Sequence, residues 1–424
     1  MARGRRLALC SLAGAAAAAG PGPEQIHLAL TSDPSAVAVT WVSLELELKE
    51  AKVWYAQEGT AGRWIDAAVH QYAAGGAARS VATAVMTGLV ADTTARYRVA
   101  HGGLESAELA FRAPPVDPRP VRVIAFGDMG TGDFGDHSGP GGALYNDGYV
   151  AGLLGTPSEP DLVVHVGDVA YDRGNETVWD VFFRNIEPYA RHVPYLTCVG
   201  NEDHWYNFAG YAHRFFLPSQ ALESQEAPHY YSIDFSYMHL VSISTEAGLE
   251  PYAPGSTQYA WLEDDLKRAS ANRARVPWIV VLGHRPLYCS SNDYYDCNMW
   301  GPRARSVFEP LFQRYGVDLY LAGHVHSYER TFPVVNGTKL TDSYDSPKAT
   351  THLMVGMGGA GLTGRWAAQP SWSAARIAHY GVGELEVSKH NLTFTLVETR
   401  GKAQSADRIV ITRPGAAGEA TQFV

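Results

Sequence analysis

The chain is predicted to fold as an N-terminal antiparallel β-sandwich over residues 23–117 followed by a layered α/β domain over residues 118–424. Three observations carry that expectation. Residues Gln25 to about Arg112 alternate short apolar and polar stretches, the proline-rich segment APPVDPRP interrupts them, and compact apolar runs with helical stretches between them follow. With 424 residues and 46% hydrophobic content, the chain can bury two cores of ordinary domain size.

Residues 1–22, MARGRRLALCSLAGAAAAAGPG, place three arginines before an alanine-rich run and a small-residue cleavage region between Gly20 and Gly22. That is the order of a secretory signal, so a secreted or lumenal protein is expected. IHLAL, VAVTWV, AKVWYA, SVATAVMTGL and ARYRVA then read as sandwich strands separated by turns. The prolines of APPVDPRP lack ladder donors and restrict the residues before them, which makes that segment an extended linker.

Beyond the linker, VRVIAF, DLVVHV, YLTCV, HLVSIS, WIVVLG and VDLYLA suit strands buried on both faces. Trp179, Phe182, Phe183 and Ile186 define one helical face. STQYAWLEDDLKRASANR predicts a second helix, capped by Ser256 or Thr257, with Tyr259, Leu262 and Leu266 in one stripe. The late runs YGVGELEVS and LTFTLVET read as strands that close the same domain rather than a separate one. Every long apolar run is strand-sized, so no transmembrane anchor is expected.

The formal charge of -10 disfavours a nucleic-acid scaffold as partner. An anionic substrate would need a local positive site, which a metal ion can supply. Cys289 and Cys297 bracket CSSNDYYDC and could pair in an oxidising compartment; Cys198 is left unpaired in an apolar strand, and Cys10 falls in the signal. Asn175, Asn336 and Asn391 head glycosylation sequons. Oligomeric state is left unassigned.

The chemistry sits where strands end. Asp128 follows VRVIAF in GDMG, Asp168 follows DLVVHV in GDVAYD, and Asn201 follows YLTCV in GNED. His284 follows WIVVL in GHRP, and His324 and His326 follow VDLYLA in GHVH. Each residue alone has a structural explanation: a helix cap, a turn former, or a histidine bonded to a carbonyl. Five strand-like runs that each end in glycine and then Asp, Asn or His instead point to one metal site on converging loops. Carboxylates, a carboxamide, imidazoles and the phenol of Tyr171 suit Fe, Zn or Mn, and one carboxylate can bridge two cations.

The ordered set GDMG, GDVAYD, GNED, GHRP and GHVHSYER resembles the purple acid phosphatases of the calcineurin-like metallophosphoesterases. QYAWLEDDLKRA and RPLYCSSNDYYDC are especially similar to the large animal-type iron/zinc members. The resemblance implies a fibronectin III-like accessory sandwich and a catalytic domain built around a central β-sandwich. It further implies that Asp128, Tyr171 and His326 hold Fe(III), that Asn201, His284 and His324 hold Zn, Mn or Fe(II), and that Asp168 bridges them. A metal-activated hydroxide would then hydrolyse small phosphate monoesters at acidic pH. Diester or pyrophosphate hydrolysis, and a weakly catalytic phosphate-binding protein, remain the alternatives.

The sequence departs from the family where substrate is expected. The family's GNHE becomes GNED, so Glu202 stands in place of a histidine, with His204 two residues further on as a candidate substitute. Asp293 and Tyr294 occupy positions where plant-type relatives carry pocket histidines. Arg285 is either a phosphate clamp or a salt-bridged support for the ligand beside it. His165 reads as a core group, MVGMGGAGL as a tight turn on the active-site side, and the sandwich as a buttress for the catalytic domain.

Overall fold

The computed structural model describes residues 22–44, 48–132, 142–222, 229–292 and 297–413. Residues 1–21 of the expected signal, and Asp293 with Tyr294, lie outside the described residues.

The N-terminal part is two antiparallel sheets. One orders strands Glu24–Leu30, Val37–Ser43, Ala77–Met86 and Ala68–Ala74; the other orders Arg63–Asp66, Lys52–Gln57, Thr94–His101 and Leu104–Glu105, with Leu109–Arg112 also paired to Thr94–His101. Leu28, Val39 and Trp41 of the first sheet meet Val53, Tyr97 and Val99 of the second in one core, as the period-two pattern predicts. Strands Arg63–Asp66 and Ala68–Ala74 escape sequence recognition because they are edges with largely exposed side chains.

The larger part is a second sandwich. Its first sheet orders Tyr195–Cys198, Leu162–Val166, Val121–Phe126, Gly381–Val387, Asn391–Glu398 and Gln404–Thr412; the first three are parallel. Its second sheet orders Tyr231–Phe235, Met238–Ser242, Trp278–Leu282, Leu319–Ala322, Thr351–Val355, Tyr328–Thr331 and Ser373–Ile377, with four parallel strands from Met238 to Val355. Side chains alternate along each strand. Val280 and Leu282 enter the core shared with Val123, Val163 and Leu196, whereas Ile279 and Val281 face helix residues Leu262, Leu266 and Phe308.

Both helices expected from periodicity form. Thr177–Ala190 buries Trp179, Phe182, Phe183 and Ile186. Thr257–Ala271 is capped by Ser256, whose Oγ accepts the Tyr259 N–H at 3.2 Å. A further helix, Trp300–Tyr315, carries Pro310 within it and ends at Gly316 in the left-handed conformation. Cys289 and Cys297 are disulfide-bonded, and Cys198 is free and buried. Among the described residues, no helix is long and apolar enough to cross a membrane.

The two parts share a buried polar seam. Ala29, Leu30 and Ala38 of the N-terminal sheet join the larger core, and Arg214 of the larger part is fully buried. Its guanidinium donates to Gln25 Oε1 at 2.6 Å and to Asp180 Oδ1 at 2.9 Å, and also to the Tyr72 hydroxyl. Arg79 Nε bonds the other Asp180 oxygen at 3.0 Å, so two cations enclose one buried carboxylate. Burial raises the Asp180 pKa, but the two arginines outweigh it and hold the group below the ordinary carboxylate range. Arg214→Met should therefore lower unfolding free energy by about 3 kcal/mol, the scale of removing one partner from a buried ion pair. Denaturant titration with a constant m-value checks this.

Candidate metal centre

The strand exits named above meet between the two sheets of the larger sandwich. From the first sheet come Asp128, Asp168 and Asn201; from the second come His284 and His324. Backbone bonds stitch the exits together: Asp128 N–H donates to Gly167 O at 3.1 Å, and Gly323 N–H to His284 O at 2.9 Å. The glycines permit the approach. A Cβ at Gly167 would stand 2.6 Å from His284 Nδ1, and one at Gly356, in the expected glycine turn, would stand 2.9 Å from Asp128 Oδ2.

The chain is also strained at this place. Asp128, Asp168, Tyr171 and His324 have φ of 59°, 51°, 56° and 70°, in the left-handed region that side chains other than glycine disfavour. These angles turn each side chain out of its strand direction and into the shared space.

The donors are oriented as ligands are. His284 Nδ1 lies 2.9 Å from Val166 O and His326 Nδ1 2.9 Å from Gly361 O, which points both Nε2 atoms inward, where a cation would displace the proton that His284 Nε2 otherwise shares with Asp168. His284 Nε2 lies 3.2 Å from His324 Nδ1, 3.2 Å from Asn201 Oδ1 and 3.2 Å from Asp168 Oδ2. On the other side, Tyr171 Oη lies 3.0 Å from His326 Nε2, 3.3 Å from Asp128 Oδ1 and 3.4 Å from Asp168 Oδ2. Asp168, His284 and His324 present donor atoms within 4.8 Å of one another.

Charge balance favours cations here. Burial, reinforced by the Asp168 charge, pushes the Asp128 carboxyl well above its ordinary range. Asp168 is held low despite burial because the His284 imidazolium faces it; the same contact overcomes burial at His284 and raises that group to about 10. Two buried carboxylates that compete for one imidazolium form a donor set fitted to cations.

The supporting residues are of two kinds. Asp203, fully inside the turn Asn201–His204, accepts the Val169 N–H at 2.9 Å and the Gly200 N–H at 2.8 Å, clamping the loops that carry Asp168 and Asn201. Arg285 forms a fork with Glu246, Nε at 3.0 Å from Oε1 and Nη2 at 3.0 Å from Oε2, while Nη1 lies 3.1 Å from His324 Nε2 and Nη2 3.3 Å from Asn201 Oδ1. Sequence reasoning overlooked Glu246 and the clamp role of Asp203. Glu246 does follow a strand, Met238–Ser242, but without the preceding glycine that marks the other exits.

The substrate-side candidates are placed less uniformly. The Glu202 N–H donates to Asp168 Oδ1 at 2.7 Å and its carboxylate accepts from Asn201 Nδ2 at 3.1 Å. Burial and the Asp168 charge raise the Glu202 carboxyl, against the charges of Arg173, His204 and His284. His204 is exposed, its Nδ1 2.7 Å from Asn201 O and its ring 4.9 Å from that of Trp205. His165 stays in the core, with Nδ1 2.7 Å from the Tyr195 hydroxyl.

Known proteins resemble this chain over most of its length. The family profile described as calcineurin-like phosphoesterase matches residues 121–328, that of the purple acid phosphatase N-terminal domain matches 23–113, and that of the iron/zinc purple acid phosphatase-like protein C matches 349–408. Acid phosphatase type 7 of Homo sapiens is 32% identical over 387 residues, covering 86% of this chain and 85% of the relative. Probable inactive purple acid phosphatase 1 of Arabidopsis thaliana is 31% identical over 88% of this chain and 66% of the relative. The structure of a purple acid phosphatase from yellow lupin seeds superposes with a TM-score of 0.83 at 25% identity, covering 93% of this chain and 75% of that one. These likenesses show that the chain belongs to the purple acid phosphatase family of the calcineurin-like phosphoesterases.

Proposed function

We propose that the protein hydrolyses small phosphate monoesters at acidic pH at a centre pairing Fe(III) with Zn, Mn or Fe(II). One observation carries this reading: the Asp168 carboxylate touches both ligand groups, Oδ2 lying 3.4 Å from Tyr171 Oη and 3.2 Å from His284 Nε2. In the proposed assignment Asp128, Tyr171 and His326 hold the ferric ion, and Asn201, His284 and His324 the divalent one, with Asp168 shared. When bound, such a pair supplies water acidified enough to attack phosphorus and neutralises phosphate charge.

The protein's own groups set the geometry for that chemistry. Val166 O and Gly361 O fix the imidazole orientations, and Asp203 and the Arg285–Glu246 fork hold the loops. Because Glu246 engages two nitrogens of Arg285, we favour a ligand-supporting role for Arg285 over a phosphate clamp. Glu202 and His204 are assigned to the substrate side, since both belong to the turn that Asn201 begins. Asp293 and Tyr294 are retained as substrate-pocket candidates from sequence. The Cys289–Cys297 disulfide supports a secreted or lumenal location, and the exposed Asn175 and Asn336 suit glycosylation.

A weakly catalytic phosphate-binding protein is the second reading, favoured by Glu202 where the family's histidine is expected. Full metal occupancy with no turnover of p-nitrophenyl phosphate, nucleoside phosphates or diesters would establish it over the first.

Asp168→Ala is expected to lower metal content and phosphatase rate together, the rate by at least about a hundredfold. Metal analysis beside a pH-resolved assay decides; unchanged occupancy removes the bridging assignment. Glu202→His should raise the monoesterase rate about tenfold at mildly acidic pH by restoring a neutral-or-cationic proton donor. A fully metallated variant with no gain at any pH counts against the missing-histidine explanation.

A further inference from the structure

The loop that brings Tyr171 to the centre, residues 172–176, is not held by the catalytic domain alone. Asp172 is buried at its start, and its backbone carbonyl accepts the Asn175 N–H at 2.8 Å. Glu176, buried at its end, accepts the Tyr72 hydroxyl at 3.0 Å. Tyr72 belongs to strand Ala68–Ala74 of the N-terminal sandwich, and its hydroxyl also receives Arg214 Nε from the seam.

At the tip of the same hairpin, Gly75 has a φ of +53°, and a Cβ there would stand 2.7 Å from Gly174 O, 2.9 Å from Glu176 N and 3.0 Å from Tyr206 Cε2. Gly174 and Glu176 belong to the Tyr171 loop. Tyr206 follows the turn that carries Asn201, and its hydroxyl donates to Gly174 O at 3.0 Å. One glycine of the sandwich is thus wedged against both loops that deliver these ligands. The loop conformations are unfavourable in isolation, with Tyr171, Arg173 and the successive residues Tyr206, Asn207 and Phe208 all at φ between 47° and 61°. Such a geometry persists where surrounding packing over-determines it, and the hairpin tip is part of that packing.

We infer that the hairpin Ala68–Met86 is a positioning element of the metal centre, acting through Tyr72 and Gly75 on the loop that carries Tyr171. This rests on the metal-centre assignment proposed above. A ligand must be held within about half an ångström of its productive place, and surface loops achieve that when a rigid element backs them. Here the rigid element is a strand pair of the other domain.

The test uses full-length protein loaded with iron and zinc, comparing wild type with Gly75→Val, Tyr72→Phe and, as a control inside the sandwich, Arg63→Ala, whose side chain contacts Tyr55 and Thr87. Metal content, the visible absorption of iron bound to tyrosinate, and kcat and KM on p-nitrophenyl phosphate are read alongside thermal unfolding. Gly75→Val and Tyr72→Phe are expected to shift the absorption maximum and weaken iron retention about tenfold, as loss of an outer support does, with kcat falling more than KM changes. Arg63→Ala should leave the absorption in place. Tyr72→Phe is close to isosteric and remains informative where Gly75→Val does not fold. Folded variants with wild-type absorption, iron retention and kcat overturn the inference. A wild-type protein that takes up no iron overturns the metal-centre assignment itself and the inference with it, a result visible before any variant is made.

Discussion

Asp128 and Asp168 lie buried together where two sheets meet, and the surrounding architecture answers the energetic problem this creates. Carboxylates at such depth are stable when opposite charge and hydrogen-bond donors surround them, and the His284 imidazolium can face them only in part. Cations at the centre would satisfy the remaining negative charge and draw on the inward-facing imidazoles and the Tyr171 phenol. Left-handed backbone at Asp128, Asp168, Tyr171 and His324 and glycine at the strand exits serve the same close approach. They let two sheets approach closely enough for their loop ends to share one small volume.

Arg285, the guanidinium that reaches His324 and Asn201, is committed to structure. The Arg285 fork is engaged by Glu246, and its remaining contacts reach His324 and Asn201. Glu202 adds an acidic group where the family presents imidazole. Under the proposed assignment, binding of an anionic substrate would lean on the cations more heavily than in a relative with a basic pocket. The family spans relatives named as acid phosphatases and relatives named as probably inactive, so shared fold and ligand pattern do not by themselves fix turnover.

The N-terminal sandwich is more than a tethered module. A proline-rich extended segment joins it to the larger part, and Gln25, Tyr72 and Arg79 enter a buried polar seam with Asp180 and Arg214. A seam of this kind specifies one relative placement, because any shift leaves a buried charge without its partner.

The sequence by itself determined the order of domains, the main strands, two helices and the chemical types at the strand exits. Those features are local: hydrophobic period, caps and the repeated glycine followed by Asp, Asn or His are written within a few residues. Edge strands such as Arg63–Asp66 were hidden because their side chains are exposed and carry no burial pattern. The helix Trp300–Tyr315 follows Met299 with no side-chain cap and no acidic residue in its first turn, so the usual start signals are missing. Tertiary structure alone decided that Glu246 engages Arg285, that Asp203 clamps two loops, and that Gly75 abuts the Tyr171 loop. Each of these is a contact between residues far apart in the chain or a side-chain direction set by strained backbone, and neither is encoded in spacing.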